Sequence, residues 1–589
     1  VVVGPTLGRT FGRALLFALL FADTSGCGRS KPVGADAGAT DAGGDATDGR
    51  TLDVSDGGAA APDGDASAGP ALRPPSPALD CAPYQAGCVV HVVPGGASAG
   101  TGLTWPTALG DVQEALDRAT CGCAVWIAAG TYTPTRALDP ADPDPRNTSF
   151  YPWPGVSMLG GFAGGEASPD ARPATGSETI LSGDLGAPGV RGDNAYHVVV
   201  GADRAVLDRL TIRDGEANGF LAGQGVGGGL LVFGADVTLR DVRVTDNTAS
   251  TGAGLWADGL SSLSLSGCTL ERNVADVGGG VFTSGMTTTL ERSTFRDNVA
   301  VFVGGGVAFQ GDTLAVRDGT FVHNRGDYGG ALALSGGTSY VERSWFEANI
   351  SGLFGGAVIV RTSATARFDS SVFTANGSVG HGGAVTVWTA RLTLEGVTLV
   401  GNHAAFGGGF VAKDRARLTI GDSVVWRNDD DGGKTFFIEG QDNVIDATAC
   451  AIPDEVPNAD SFADDPELGN VPLGTRFTEA KGTEATLQIA TASATFTVGD
   501  RVELGDDGVE RSVTAVAAHS ITVAPPLAAP SPRFLRVDRW ADDAPNLTLD
   551  LAPRTGSPLI DGARATAPTT DVRGGARVGA PDIGALERR

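Results

Sequence analysis

Few residues in this chain could do chemistry, and they are dispersed. His381 stands between Gly380 and Gly382, and an imidazole near its ordinary pKa can act as acid or base at neutral pH. Asp429, Asp430 and Asp431 could supply oxygens to a Ca2+ ion, the one cofactor the composition leaves open. Three consecutive carboxylates on a turn do not all face one ion, so a solvated loop is the preferred reading. His323 and His403 fall beside equivalent repeat positions three repeats apart, about 14 Å at the spacing of stacked strands, too far for one metal. Serine-hydrolase elbows and phosphate-binding loops are missing, because the Gly-rich runs recur instead of occurring once between a strand and a helix.

What must position these residues is a repeat. Asn recurs at Asn247, Asn273, Asn298, Asn324, Asn349, Asn376, Asn402 and Asn428, with gaps of 25 to 27 residues. Gly keeps step at Gly228, Gly279, Gly305, Gly330, Gly356, Gly383, Gly408 and Gly433, with Ala253 filling one place. Three residues before each Asn stand Val244, Leu270, Phe295, Phe321, Phe346, Phe373, Leu399 and Val425, and eight before stand Leu239, Leu265, Leu290, Val316, Val341, Phe368, Leu394 and Ile420. Short alternating strands between Gly and Asn turns, with no apolar 3.6 period, predict one coil of a single-stranded parallel β-helix per repeat. The Asn column is expected to form a structural ladder, with Asn taking the left-handed backbone of a sharp corner and the paired glycines taking positive φ at another. Cys268 is expected to be a small buried filler.

The flanks are different in kind. Residues 1–27 place Arg9 and Arg13 before an apolar run from Ala14 to Ala22 and end at Cys27, the layout of an export signal. Residues 28–80 carry nine Asp, no Glu and four basic residues among Ala, Gly, Ser, Thr and Pro, and are expected to be a disordered tether spanning roughly 40 Å. The fold is then expected to run as an N-terminal cap and first coils (81–196), the repeats (197–473), a small inserted β-domain (474–543) and a closing segment (544–589). Cys81, Cys88, Cys121 and Cys123 fit disulfides in an exported chain, with three connectivities open. A zinc site is the poorer reading of the same cysteines. Lys and Arg number 43 against 69 Asp and Glu, and the net charge of -26 argues against a nucleic-acid partner.

Several motifs resemble known families. Thr24-Ser25-Gly26-Cys27 resembles the lipobox of bacterial lipoproteins, which implies a lipid on Cys27. Phe295 to Asn298 followed by Gly304 to Val307, and Phe346 to Asn349 followed by Gly355 to Val358, resemble the FxxN and GGA(I/V/L) repeats of chlamydial polymorphic outer-membrane proteins. A closer resemblance, over roughly Cys88 to the end, is to bacterial choice-of-anchor Q domain proteins. It is carried by Gly102 to Ala108, Val125 to Tyr132, Gly160 to Glu166, Gly556 to Ala563, Thr570 to Gly574 and Pro581 to Glu587. It implies a right-handed, pectate-lyase-like β-helix on a surface protein and no known activity. Gly380-His381-Gly382 resembles the triplet of polygalacturonases, but the candidate carboxylates follow the His and no Arg-Ile-Lys is present, so repeat register explains the triplet better.

The expectation is therefore an all-β right-handed parallel β-helix with an N-terminal helical cap, the helix lying near residues 110 to 119, and a second cap formed by the closing segment. It is expected to be exported and lipid-anchored at the outer membrane or cell surface, otherwise secreted, and to serve as a binding or adhesion scaffold for glycans. A polysaccharide lyase or glycoside hydrolase on the same solenoid is the alternative.

Overall fold

The computed structural model describes residues 87–587 except 98–99, 138–140, 222, 260–261, 453–459, 463–464, 479, 490–491, 506, 534, 543, 545, 547–548, 556, 565–566 and 578–580. The signal, the tether, Cys27 and Cys81 lie outside the described residues.

Residues from Val89 to Phe462 wind into a parallel β-solenoid. A central coil runs Val281–Ser284, Thr287–Glu291, Thr294–Arg296 and Val299–Val303, each strand pairing in parallel with its equivalent in the next coil, as in Val281 with Val307 and Phe295 with Phe321. The first strand of each coil builds a ten-stranded sheet and the last a nine-stranded sheet; the middle two belong to a continuous 25-stranded array. Because alternate residues face inward, the apolar columns fill the interior. Leu290, Val316, Phe368 and Leu394 are fully buried, and Phe295, Phe321, Phe346 and Phe373 stack with centroids 4.9, 4.9 and 4.6 Å apart.

The eight asparagines stand one above another, seven of them with no exposed surface. Asn324 Nδ2 donates to Asn349 Oδ1 at 3.0 Å and to Phe295 O at 2.8 Å, while its Oδ1 accepts from Asn298 N and Nδ2. Every amide in the interior of the ladder is thus satisfied without water. The left-handed corner falls one place earlier than expected. Asp246, Arg272, Asp297, His323, Ala348, Ala375, Gly401 and Arg427 carry φ of +50° to +67°, and the Asn that follows turns its amide into the core. The glycine pair also divides its work: Gly304 takes φ +65°, whereas Gly305 is held by space, since a Cβ there would clash with Arg325 O and Gly330 O.

The helix Val112–Arg118, capped by Asp111 accepting from Glu114 N at 2.9 Å, buries Val112, Ala115 and Leu116 in the solenoid core and covers the first coil. Cys88 bonds to Cys123, and Cys121 is also disulfide-bonded. Cys268 and Cys450 are free and buried, and burial pushes each thiol up to about 11.

Near the C-terminus a six-stranded antiparallel sheet, from Gly474–Phe477 to Arg536–Trp540, closes around its own core of Leu487, Phe496, Val502, Val513, Ile521 and Val537. Ala492–Thr495 is a helical turn ahead of the strand Arg501–Leu504. The closing segment lies along the side of the solenoid, not across its end. Leu559, Ile583, Ala585 and Leu586 cover Val372, Val400 and Val424 on an outer face. Ala585 N donates to Thr398 Oγ1 and Gly584 N to Asp422 O. The reason is apolar patterning: the outer positions of these coils include Val372, Val400, Val424 and Trp426, and that surface requires a cover.

Candidate functional site

Two in-register columns meet at one edge of the solenoid. On the outer face of the ten-stranded sheet, Arg361, Trp388, Lys413 and Glu439 occupy one position in four successive coils. On the neighbouring nine-stranded sheet, Tyr328, Phe354, His381 and Phe406 do the same. Strand pairing alone therefore brings eight aromatic, cationic and acid-base side chains together.

The columns interlock. The rings of Tyr328, Phe354, His381 and Phe406 stack at 5.7, 4.8 and 4.9 Å. Phe354 lies 5.4 Å from Trp388, and Phe437 packs against His381 and Phe406 at 5.9 and 5.2 Å. Lys413 Nζ sits 5.2 Å over Trp388, and Arg361 lies 5.4 Å from the Tyr328 ring, both as cation–π contacts. Phe406 is 46 % exposed, so the aromatic row reaches solvent.

Lys413 Nζ hydrogen-bonds Glu439 Oε1, and His381 Nε2 stands 3.9 Å from Glu439 Oε2, a buried oxygen that accepts no hydrogen bond among the described residues. Burial lowers the His381 pKa and Lys413 adds to this, against the opposing charge of Glu439, which favours the neutral ring. Burial also pulls the Arg361 guanidinium down to about 10. The face can thus stack the apolar side of a sugar ring on aromatic groups, while Arg361, 4 % exposed, and Lys413, bonded to Glu439, back the rings from within. Glycosidic cleavage needs two carboxylates placed across a bond. Here Glu439 is bonded to Lys413 and Asp414 lies 3.9 Å from the same ammonium, so both carboxylates are engaged by one cation.

The Asp429 to Asp431 run does not converge on a point, and only Asp431 stands in an exposed turn. Asp429–Asp430 is the last strand of the nine-stranded sheet. The Asp429 carboxylate is gripped by Arg476, the Asp430 carboxylate accepts from Gly407 N, Gly432 N and Lys434 N, and Asp431 lies 3.7 Å from His403. Among the described residues no group of three His, Cys, Asp or Glu side chains is arranged to hold a metal ion. These aspartates do not fit a Ca2+ site.

His381 is the only residue of this cluster that its sequence surroundings single out. Arg361, Trp388, Lys413 and Glu439 recur at the repeat spacing, but with four unlike side chains, so a search for repeated residue types passes over them. Reading the position after the buried apolar column, whatever its occupant, would find them.

No protein-family model matches the chain, and no curated protein matches it in sequence. Among solved structures it is similar to pectate lyase Pel9A, at 15 % identity and a TM-score of 0.34 over 85 % of this chain and 96 % of that one. It is similar also to XylC in complex with xylose, at 10 % identity and a TM-score of 0.36 over 85 % of this chain and 98 % of that one. A third similar structure is the tailspike protein gp49 from Pseudomonas phage LKA1, at 11 % identity and a TM-score of 0.24 over 77 % of this chain and 67 % of that one.

Proposed function

We propose that this protein is an exported surface solenoid, anchored through a lipid on Cys27, that binds glycans as a scaffold. The observation that carries the reading is the pair of in-register columns, Arg361–Trp388–Lys413–Glu439 beside Tyr328–Phe354–His381–Phe406, which present an aromatic strip backed by cations along successive coils. A polymer of sugar rings is a fitting partner for such a strip, because each coil advances by about 4.8 Å and offers a new set of contacts. The apolar run Ala14 to Ala22 ending at Cys27 supports the export and anchoring part. The resemblance to choice-of-anchor Q domain proteins is consistent with both.

A second reading, a polysaccharide lyase or hydrolase, is favoured by one observation: the 3.9 Å approach of His381 to Glu439 beside Lys413. The experiment that tests both is a glycan array probed with the full chain and scored for retention and for cleavage. Retention without cleavage is expected. Absorbance from unsaturated uronides would move the assignment to a lyase, new reducing ends without that absorbance would move it to a hydrolase, and no retention on any glycan would remove the binding reading.

A further inference from the structure

An open groove of about 790 Å³ lies at the turn that follows the ten-stranded sheet. Three arginines, Arg391, Arg415 and Arg417, line it together with Ser363, Thr389 and Asn443. Thr389 directly follows Trp388, and Arg415 comes two residues after Lys413, so the groove continues the aromatic strip.

Among the described residues, the three arginines stand without ion partners at one place. The chain has an excess of acid, and its other arginines are commonly ion-paired: Arg243, Arg272 and Arg296 surround Glu271, and Arg343 holds Asp318. Arg391, Arg415 and Arg417 are exposed and make no ion pair among the described residues, although Asp442 lines the same groove. Arg391 and Arg417 also lie directly opposite each other in adjacent coils. Like charges in that relation oppose strand pairing, and an anion between them removes the conflict. Guanidinium forks match the two oxygens of a carboxylate, and Ser, Thr and Asn add neutral donors of the kind that bind sugar hydroxyls.

We propose that this groove seats the carboxylates of a uronate-bearing polysaccharide, with successive acid groups bridging Arg391, Arg417 and Arg415. This rests on the glycan-binding reading above and narrows it to an acidic polymer. The test uses the full chain with three fluorescent probes: an oligouronate, the same oligomer methyl-esterified, and a neutral glucan. The oligouronate is expected to bind with an affinity that falls as salt rises, and to lose at least about tenfold in an Arg391→Gln/Arg417→Gln variant. Arg417→Lys, which keeps the charge but not the fork, is expected to fall between the two. Equal binding of the ester and the acid by the wild type, or unchanged oligouronate binding by the double variant with native circular dichroism, would overturn the proposal. Retention of the neutral glucan alone would overturn the groove while leaving the broader reading in place; retention of no probe would remove both.

Discussion

Arg476 reaches from the first strand of the inserted sheet to Asp429 on the last strand of the nine-stranded sheet, and donates through both terminal nitrogens, at 3.0 and 2.8 Å. Arg476 is only 8 % exposed. Around this pair the Phe477 ring lies against Gly377, in space a side chain at Gly377 would fill, and Arg536 approaches Glu347 at 3.5 Å. The insert is thereby fixed on the flank of the solenoid, and the aspartate that looked like a metal ligand is a docking residue.

Asp429→Ala should therefore loosen the insert. It leaves a nearly buried guanidinium without its partner, a change that costs about 3 kcal/mol. Burial opposes ionisation of Asp429, but His403 and Arg476 outweigh it and hold the carboxyl below its ordinary range. The pair's contribution is complete above the unfolded carboxyl's pKa of about 4 and is lost as pH falls through the depressed value. Hydrogen exchange across 474–540 should quicken in the variant at pH 7; an unchanged pattern would contradict the docking role.

The middle of the ladder should be the least tolerant place in the solenoid. Asn324→Ala removes the acceptor of Asn298 N and Nδ2 and the donor to Phe295 O, all of them buried. At about 1 to 3 kcal/mol for each orphaned group, the loss should be of order 4 kcal/mol. Urea unfolding checks this, and a midpoint shift no larger than that of a surface Thr→Ala change would argue against the ladder as a stabilising element.

How much of this the sequence displays depends on whether a position repeats its residue type. Phe295, Phe321 and Phe346 face the same core in each coil, so their type recurs and the coil length is legible. The left-handed corner needs only a backbone, and Asp297, His323 and Ala348 adopt it in succession, so no letter marks it. For that reason the corner was expected at the asparagine that follows. The candidate site is harder still, because Arg361, Trp388, Lys413 and Glu439 share a register position and nothing else. Contacts such as Ser370 Oγ to Thr570 O join parts of the chain 200 residues apart, and no local pattern announces them.

Anchoring should depend on one sulfur. Cys27→Ser removes the nucleophile that a lipid transfer requires, and a single export signal then leaves a secreted protein. Fractionation of the producing cells should move the variant from the membrane to the soluble fraction. Persistent membrane association would contradict the lipid on Cys27.

The closing segment should hold more tightly in mild acid than in mild alkali. Arg564 lies between two carboxylates, donating from Nη2 to Glu395 Oε1 at 2.6 Å and from Nε to Asp422 Oδ2 at 3.0 Å, and the Asp422 side chain is fully buried. One cation cannot neutralise both. Burial first, and then the shared hydrogen bond with Asp422, push the Glu395 carboxyl up to about 7. Its unfolded value is about 4.3, so between the two pH values the folded chain keeps a proton that the unfolded chain has released. By linkage, stability falls as pH rises through this window and levels off above it. Glu395→Gln fixes the neutral form and keeps an N–H toward Asp422, so it should flatten the profile and gain on the wild type as the medium becomes alkaline. Thermal unfolding from pH 5 to pH 8, with hydrogen exchange followed at residues 559–586, reads the effect. A wild-type melting temperature that climbs across that range would show that Glu395 ionises freely against Arg564, and the clamp would then owe nothing to the shared proton.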